Sequence, residues 1–185
     1  MFPELKTENY NLQQILKADQ AFIFEGLGHP GVVLYYGVSY SSFESTAAQM
    51  DFYERIWRDK TGCWWKIVEV QTGKAVGACG MNNYEADHKK AEIGYWLLPS
   101  SQKKGIMQEV LPVMIKYLFS EWQLNRLEAV IEKGNEASCR LAEKLGFFFE
   151  GVLRDAEIKN GKHISLLMYS LLRAEVSGQA SNPAG

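Results

Sequence analysis

The chain has 185 residues, 46% of them hydrophobic, 12% aromatic and 23% charged, with a formal net charge of -2. This length fits one domain with a sizeable core, and the composition excludes a chain disordered throughout. The near-neutral charge carries no basic footprint for nucleic acid, and no apolar run reaches the ~18 residues of a membrane span, so neither partner is expected.

The cysteines, Cys63, Cys79 and Cys139, are odd in number and form no C-x-x-C. That argues against a disulfide scaffold or structural zinc and fits a reducing cytoplasm. His29, His88 and His163 show no ligand spacing, so no metal is expected. The first residues lack a basic stretch followed by an apolar one, so no signal peptide is expected.

In chain order, residues 9–16 alternate weakly and predict a first strand. Residues 17–27 and 43–59 read as helices; in the second, Phe43, Ala47, Met50, Tyr53, Ile56 and Trp57 repeat at helical spacing. The Gly- and Ser-rich segment 28–42 between them reads as a loop. Strands 64–70 and 75–81 flank a turn carrying Gly73 and predict a hairpin. Residues 82–90 read as a polar turn and 91–98 as a strand stopped by Pro99. Residues 105–122 predict a helix with a stripe of Met107, Val110, Leu111, Met114 and Leu118, with a bend or a lost backbone bond expected at Pro112. A strand at 126–131 precedes a helix over 136–145, N-capped by Asn135 and ended by Gly146. Two last strands, 149–159 and 163–172, flank Asn160-Gly161, the strongest short hairpin signal in the chain.

The pattern predicts one mixed α/β (α+β) domain over residues 9–173, followed by a small polar tail, 174–185, expected to be disordered. About seven strands form a mostly antiparallel twisted sheet flanked by about four helices. Strand 91–98, helix 105–122 and strand 126–131 make a β-α-β crossover, so those two strands should be parallel.

The most informative stretch is Ser101-Gln102-Lys103-Lys104-Gly105-Ile106-Met107, between a strand and a helix. The N–H groups of a first helical turn lack internal partners, and with the dipole's positive end they suit a phosphate. Gly105 allows close backbone approach, and Lys103 and Lys104 add charge. The plain alternative is an ordinary strand-to-helix turn with solvated lysines.

Gln102-x-x-Gly105-x-Met107 resembles the acyl-CoA pyrophosphate loop of the GCN5-related N-acetyltransferase (GNAT) superfamily. The resemblance covers residues 9–173 and is nearest to the ribosomal-protein alanine/serine N-terminal acetyltransferase branch. It is carried also by Glu92-Ile93-Gly94-Tyr95-Trp96-Leu97-Leu98-Pro99, Asn135-Glu136-Ala137-Ser138, Glu143-Lys144-Leu145-Gly146-Phe147, Glu150-Gly151-Val152-Leu153-Arg154 and Asn160-Gly161. Met107, Lys103 and Ser165 depart from frequent choices, and Ala142 stands where other N-terminal acetyltransferases carry a Tyr general acid.

The resemblance implies acetyl-CoA as co-substrate, held in a splay between the strands at 91–98 and 126–131. Pantetheine would pair with the backbone of Trp96, Leu97 and Leu98, and the pyrophosphate would meet the loop of Gln102, Lys103, Lys104, Gly105, Ile106, Met107 and Gln108. Asn135 is either a cofactor contact or simply a helix cap. Three carboxylates compete as base for the attacking amine. Glu92 reads first as a structural hydrogen-bond acceptor and Glu128 as solvent-facing, while Glu157 borders the acceptor side and is the choice. Ser138 is either the proton donor to the leaving thiolate or a first-turn Ser bonded to backbone. Cys139 reads as a buried inert thiol.

Tyr35, Tyr36, Tyr40, Phe43, Tyr53 and Trp57 are divided between core and acceptor pocket. The expected activity is acetyl transfer from acetyl-CoA directly to an amine, foremost the α-amine of a protein such as a ribosomal protein. A small amine (polyamine, amino acid or antibiotic) is the alternative acceptor, and a non-catalytic acyl-CoA-binding module the second alternative. A homodimer is compatible with the sequence.

Overall fold

A computed structural model describes residues 1–179. Eight strands form one sheet in the order β1-β2-β3-β4-β5-β6-β8-β7. They are β1 (Leu5–Lys6), β2 (Tyr10–Gln14), β3 (Cys63–Glu69), β4 (Ala75–Glu85), β5 (Lys90–Leu97), β6 (Arg126–Glu132), β7 (Phe148–Lys159) and β8 (Lys162–Leu172). The α-helices are α1 (Gln20–Leu27), α2 (Pro30–Val33), α3 (Ala47–Arg58), α4 (Ile106–Glu121), α5 (Glu136–Lys144) and α6 (Arg173–Gln179). Every strand pairing is antiparallel except β5 with β6, the two joined through α4.

The expected single mixed domain is present, with differences of local origin. The two-residue β1 was not foreseen. The expected helix 17–27 opens with a 3-10 turn, Lys17–Asp19, and 43–59 with another, Glu44–Thr46, so Phe43 lies outside α3 and is exposed. The segment read as a loop contains α2, started by His29, whose Nδ1 accepts from the Gly31 N–H at 3.0 Å, with Pro30 in the first turn. β4 continues to Glu85, through a register shift, where a polar turn was read. The tail departs from the expected disorder at its start, because 173–179 are helical; residues 180–185 lie outside the described residues. α4 runs through Pro112, which has no N–H to give the Gln108 carbonyl.

Alternate residues of the central strands supply two cores, as the period-2 pleat requires. Trp65, Ile67, Cys79 and Met81 join Val110, Leu111, Met114 and Leu118 of α4 and Cys139 and Ala142 of α5. Trp64, Ala78 and Trp96 join Ile23 and Leu27 of α1 and Met50, Tyr53 and Ile56 of α3. Two glycines make room for indoles on this second side. A Cβ on Gly26 would lie 2.3 Å from Trp96, and one on Gly94 2.8 Å from Trp64.

Turn chemistry follows the sequence. Asn160 and Gly161 both adopt left-handed φ, 51° and 74°, as a two-residue hairpin turn demands. Asn135 Oδ1 accepts from the Ser138 N–H at 3.2 Å and caps α5. Cross-strand ties set the far edge of the sheet. Arg126 donates to Glu128 at 2.8 Å and through two nitrogens to Glu150 at 2.7 and 2.6 Å, and Ser170 Oγ donates to Glu150 at 2.7 Å. Glu150 is the extra residue of a β7 bulge between Phe149 and Gly151.

Candidate active site

β5 and β6 pair over three residues, Lys90–Arg126, Ala91–Leu127 and Glu92–Glu128, and then separate. Beyond that point β5 keeps only its β4 partner and β6 only its β8 partner. Each arm of the resulting V therefore presents a backbone edge with donors and acceptors lacking strand partners. A cavity of about 470 Å³ opens along the β5 arm. Its wall runs from Tyr95, Trp96 and Leu97 through Gln102, Lys103, Gly105, Ile106, Met107 and Gln108 to Asn135, Ala137, Ser138 and Leu141, and Gly31, Val32, Leu34, Tyr35 and Tyr36 roof it.

The loop that opens α4 is shaped for an anion. Lys103 and Gly105 are left-handed, with φ of 60° and 78°. Among the described residues no partner accepts from the backbone N–H groups of 103–107, while Gly105 O accepts from those of Gln108 and Glu109. Among the described residues, no atom beyond the two chain neighbours lies within 4 Å of where a Gly105 Cβ would sit, so the backbone is open to a ligand. Free N–H groups in alternating backbone conformations form a concave nest at the positive end of a sixteen-residue helix. Gln102 is spent partly on the protein, its Nε2 donating to Leu97 O at 3.3 Å. The unpaired β5 edge, this nest and the cavity between them fit an elongated molecule with amides at one end and phosphates at the other.

A second cavity, of about 240 Å³, continues along the β6 arm and shares Tyr35, Tyr36, Tyr95, Asn135 and Ser138 with the first. Trp64, Asn82, Glu92, Gly94 and Ala129, Val130, Ile131 and Glu132 line the rest. A third, of about 180 Å³, shares Tyr35, Gly37, Glu92, Val130 and Glu132 with the second and adds Glu157 and Lys159. Tyr95 and Ser138 are among the residues shared by the two larger cavities. Burial raises the Tyr95 phenol, and the neighbouring Ser138 side chain opposes that rise.

The carboxylates differ in partners. Glu92 is half-buried and accepts from Asn83 Nδ2 at 3.1 Å. Asn83 holds a left-handed φ of 55° inside the irregular end of β4, a conformation uncommon outside glycine. Burial, then Glu128 and Glu157, push the Glu92 carboxyl above its ordinary value against the lowering effect of Asn83. Glu128, read as solvent-facing, is instead tied to Arg126. Glu157 is exposed and lines the third cavity.

Most of the expected cofactor residues meet at one cavity, together with Ser138. Leu98 does not; it is buried in the second core. Lys104 is exposed beside the loop but outside the wall. Trp96 contributes backbone, because its indole is packed against Gly26 and Phe22. Glu157 is one cavity removed from Ser138. Tyr95, in the sequence only a member of a motif, joins the site, as do Glu132, Asn83 and Lys159, which no motif marks. The alternation of β5 could have found Tyr95, which faces opposite to Glu92 and Trp96; the other three depend on tertiary contacts. Tyr53 is core, while Tyr35 and Tyr36 line the cavities. Cys139 is buried, and burial raises its thiol, as an inert cysteine requires. No group of three or more His, Cys, Asp or Glu among the described residues is arranged to hold a metal ion.

Residues 10–148 match the family profile described as an acetyltransferase (GNAT) domain. YoaA of Bacillus subtilis (strain 168), described as an uncharacterized N-acetyltransferase, is 34% identical over 174 residues, covering 94% of this chain and 98% of that one. The ribosomal-protein-serine acetyltransferase of Escherichia coli (strain K12) is 33% identical over 95 residues, 51% of this chain and 53% of that one. In fold, the chain superposes with a TM-score of 0.80 on spermidine N-acetyltransferase from Vibrio cholerae, solved with CoA and spermine, at 20% identity over 90% of this chain and 97% of that one. With the splayed sheet and its anion loop, these likenesses place the chain in the GNAT acetyltransferase family: it is an acyltransferase whose acetyl donor is acetyl-CoA.

Proposed function

We propose that the acceptor is the α-amino group of a protein, such as a ribosomal protein, in a cytoplasmic setting. The observation that carries this reading is the β6 arm of the V. Its backbone at Ala129–Glu132 lines the second cavity and has no β5 partner, so an extended N-terminal segment can pair with it as an added strand would. Aromatic walls at Tyr35, Tyr36 and Trp64 limit the first side chain.

Acetyl-CoA supplies an acetyl thioester. The backbone of Trp96 and Leu97 aligns its amides, and the nest of Gln102, Lys103, Gly105, Ile106, Met107 and Gln108 receives its phosphates, with Lys104 adding long-range charge and Asn135 at the junction of the cavities. The amine must be neutral to attack the thioester carbon. An α-amine has a pKa near 8, so about 10% is neutral at pH 7, and a modest base suffices. Glu157 takes that proton, directly or through water. The C–N bond forms as the C–S bond breaks, and Ser138 donates to the departing sulfur, backed by Tyr95. A thiolate of pKa about 8.5 needs little more.

Glu92 is the second reading for the base. It is the carboxylate with raised proton affinity, it lines both acceptor-side cavities, and Asn83 aims it. A small polyamine is the second reading for the acceptor, favoured by the convergence of Glu92, Glu132 and Glu157 on the third cavity. A homodimer would use the edge strand β7, where Phe148, Val152 and Ile158 are exposed. The test is mass analysis of ribosomal proteins from a strain lacking this chain. Loss of an N-terminal acetyl group supports the reading; unchanged N-termini with altered polyamine acetylation reject it.

A further inference from the structure

The structure assigns Lys159 a role in choosing the acceptor: we propose that its ammonium occupies, from within the chain, the place where the second positive charge of a diamine or polyamine would bind. The inference rests on the α-amine reading and says how a carboxylate-rich pocket is kept for an acceptor with one reacting ammonium.

Lys159 is the last residue of β7, next to the Asn160–Gly161 turn. Its Nζ donates to Glu132 Oε2 at 2.8 Å and to Leu34 O at 2.6 Å. It thereby joins β7, β6 and the segment after α2. The pair is largely withdrawn from water, with side-chain exposures of 23% for Lys159 and 16% for Glu132. Among the residues lining the third cavity, Glu92, Glu132 and Glu157 are the carboxylates and Lys159 the one cation. Among the described residues, Glu92 has only the Asn83 amide as side-chain hydrogen-bond donor.

With Lys159 in place and the carboxylates ionised, Glu132 is neutralised, which leaves Glu92 and Glu157, the two candidates for taking the proton of the reacting amine. Without Lys159, Glu132 is left partly buried and unpaired, which is costly, so the pocket must recruit a cation or a proton. A polyamine's second nitrogen meets that demand; a peptide with one α-amine does not. The third cavity adjoins the acceptor cavity, sharing Tyr35, Gly37, Glu92, Val130 and Glu132 with it, so the two subsites lie side by side. Lys159 therefore fills a subsite as well as holding the roof through Leu34.

The test compares kcat/KM for spermidine and for a peptide beginning with Ser in the parent chain and three variants, each shown folded by its melting transition with acetyl-CoA. Lys159→Met keeps most of the aliphatic stem and removes the charge. It should raise the spermidine-to-peptide ratio at least ~10-fold, the scale of one partly buried charge contact. Lys159→Arg, which keeps the charge, should stay within about threefold of the parent. Glu132→Gln combined with Lys159→Met removes the vacated anion and should cancel most of the gain. If Lys159→Met does not fold, Lys159→Gln carries the same expectation. An unchanged ratio in the neutral variant overturns the proposal, as does an equal rise in the double variant. A parent enzyme that already prefers spermidine rejects the α-amine reading instead; the change of ratio between variants still decides the role of Lys159.

Discussion

Replacing Gly105 with Val perturbs the anion loop in two separable ways. Gly105 has φ 78°, and a side chain forced into the left-handed region costs about 1–2 kcal/mol. Among the described residues, no atom beyond the two chain neighbours lies within 4 Å of the new Cβ, so no clash adds to this in the free chain. For a chain of this size that corresponds to a melting temperature roughly 2–8 °C lower. The proposed function puts the phosphates in the same open space, where the Val methyls would intrude on the ligand. In the parent, acetyl-CoA at ~100 times its Kd adds about 2.7 kcal/mol, roughly 5–11 °C. The variant should lose more than half of that shift at the same concentration. Gly73→Val is the control: φ is 68°, nothing lies within 4 Å of its Cβ, and it sits in the β3–β4 turn away from the cavities. It should lower the free melting temperature similarly and keep the full ligand shift. A full shift in Gly105→Val, or an equal loss in Gly73→Val, would refute the placement of the phosphates.

Two further outcomes follow from the carboxylates. Glu157→Gln should lower kcat ~10²-fold or more near neutral pH, with the deficit shrinking at alkaline pH where the amine is already neutral; Glu92→Gln should show that pattern instead if Glu92 is the base. A deficit constant with pH in both would mean that neither takes the proton. Glu150, which Arg126 holds down to about 2, contributes stability that is present above an unfolded value near 4.5 and is lost as pH falls from there towards 2. Being about a third exposed, it is worth about 1 kcal/mol after solvent screening, and Glu150→Gln should match the parent's stability at pH 2 and fall below it at pH 6 in urea titrations.

Features written in local chemistry were legible in the sequence. Asn160-Gly161, the Asn135 cap, Gly146 and the stripe of α4 each need only neighbours in the chain. The parallel pairing of β5 and β6 was legible because a β-α-β crossover requires it, and their splay because motif order pointed to a known family. What stayed hidden depends on distant pairs. Lys159 reaches Leu34 and Glu132, 125 and 27 residues away. Glu92 and Glu128 become neighbours only through the parallel register of β5 and β6. Carboxylates that form no run in sequence thus share cavities in the fold. The short α2 was missed because its Gly-Val-Val composition favours no helix, and His29 with Pro30 starts it locally.

The proposed reaction is acetyl transfer to a protein α-amine. The most direct measurement offers the purified chain acetyl-CoA with a short peptide that begins with Ser or Ala and carries an internal Lys, and separately with spermidine, at matched pH. Mass spectrometry locates the acetyl group, and kcat/KM compares the acceptors. The α-amine is about two pKa units easier to deprotonate than a lysine or polyamine nitrogen. Acetylation at the peptide's N-terminus, with spermidine the poorer acceptor, is the predicted result; a clear preference for spermidine, or acetyl groups on the internal Lys, would contradict it.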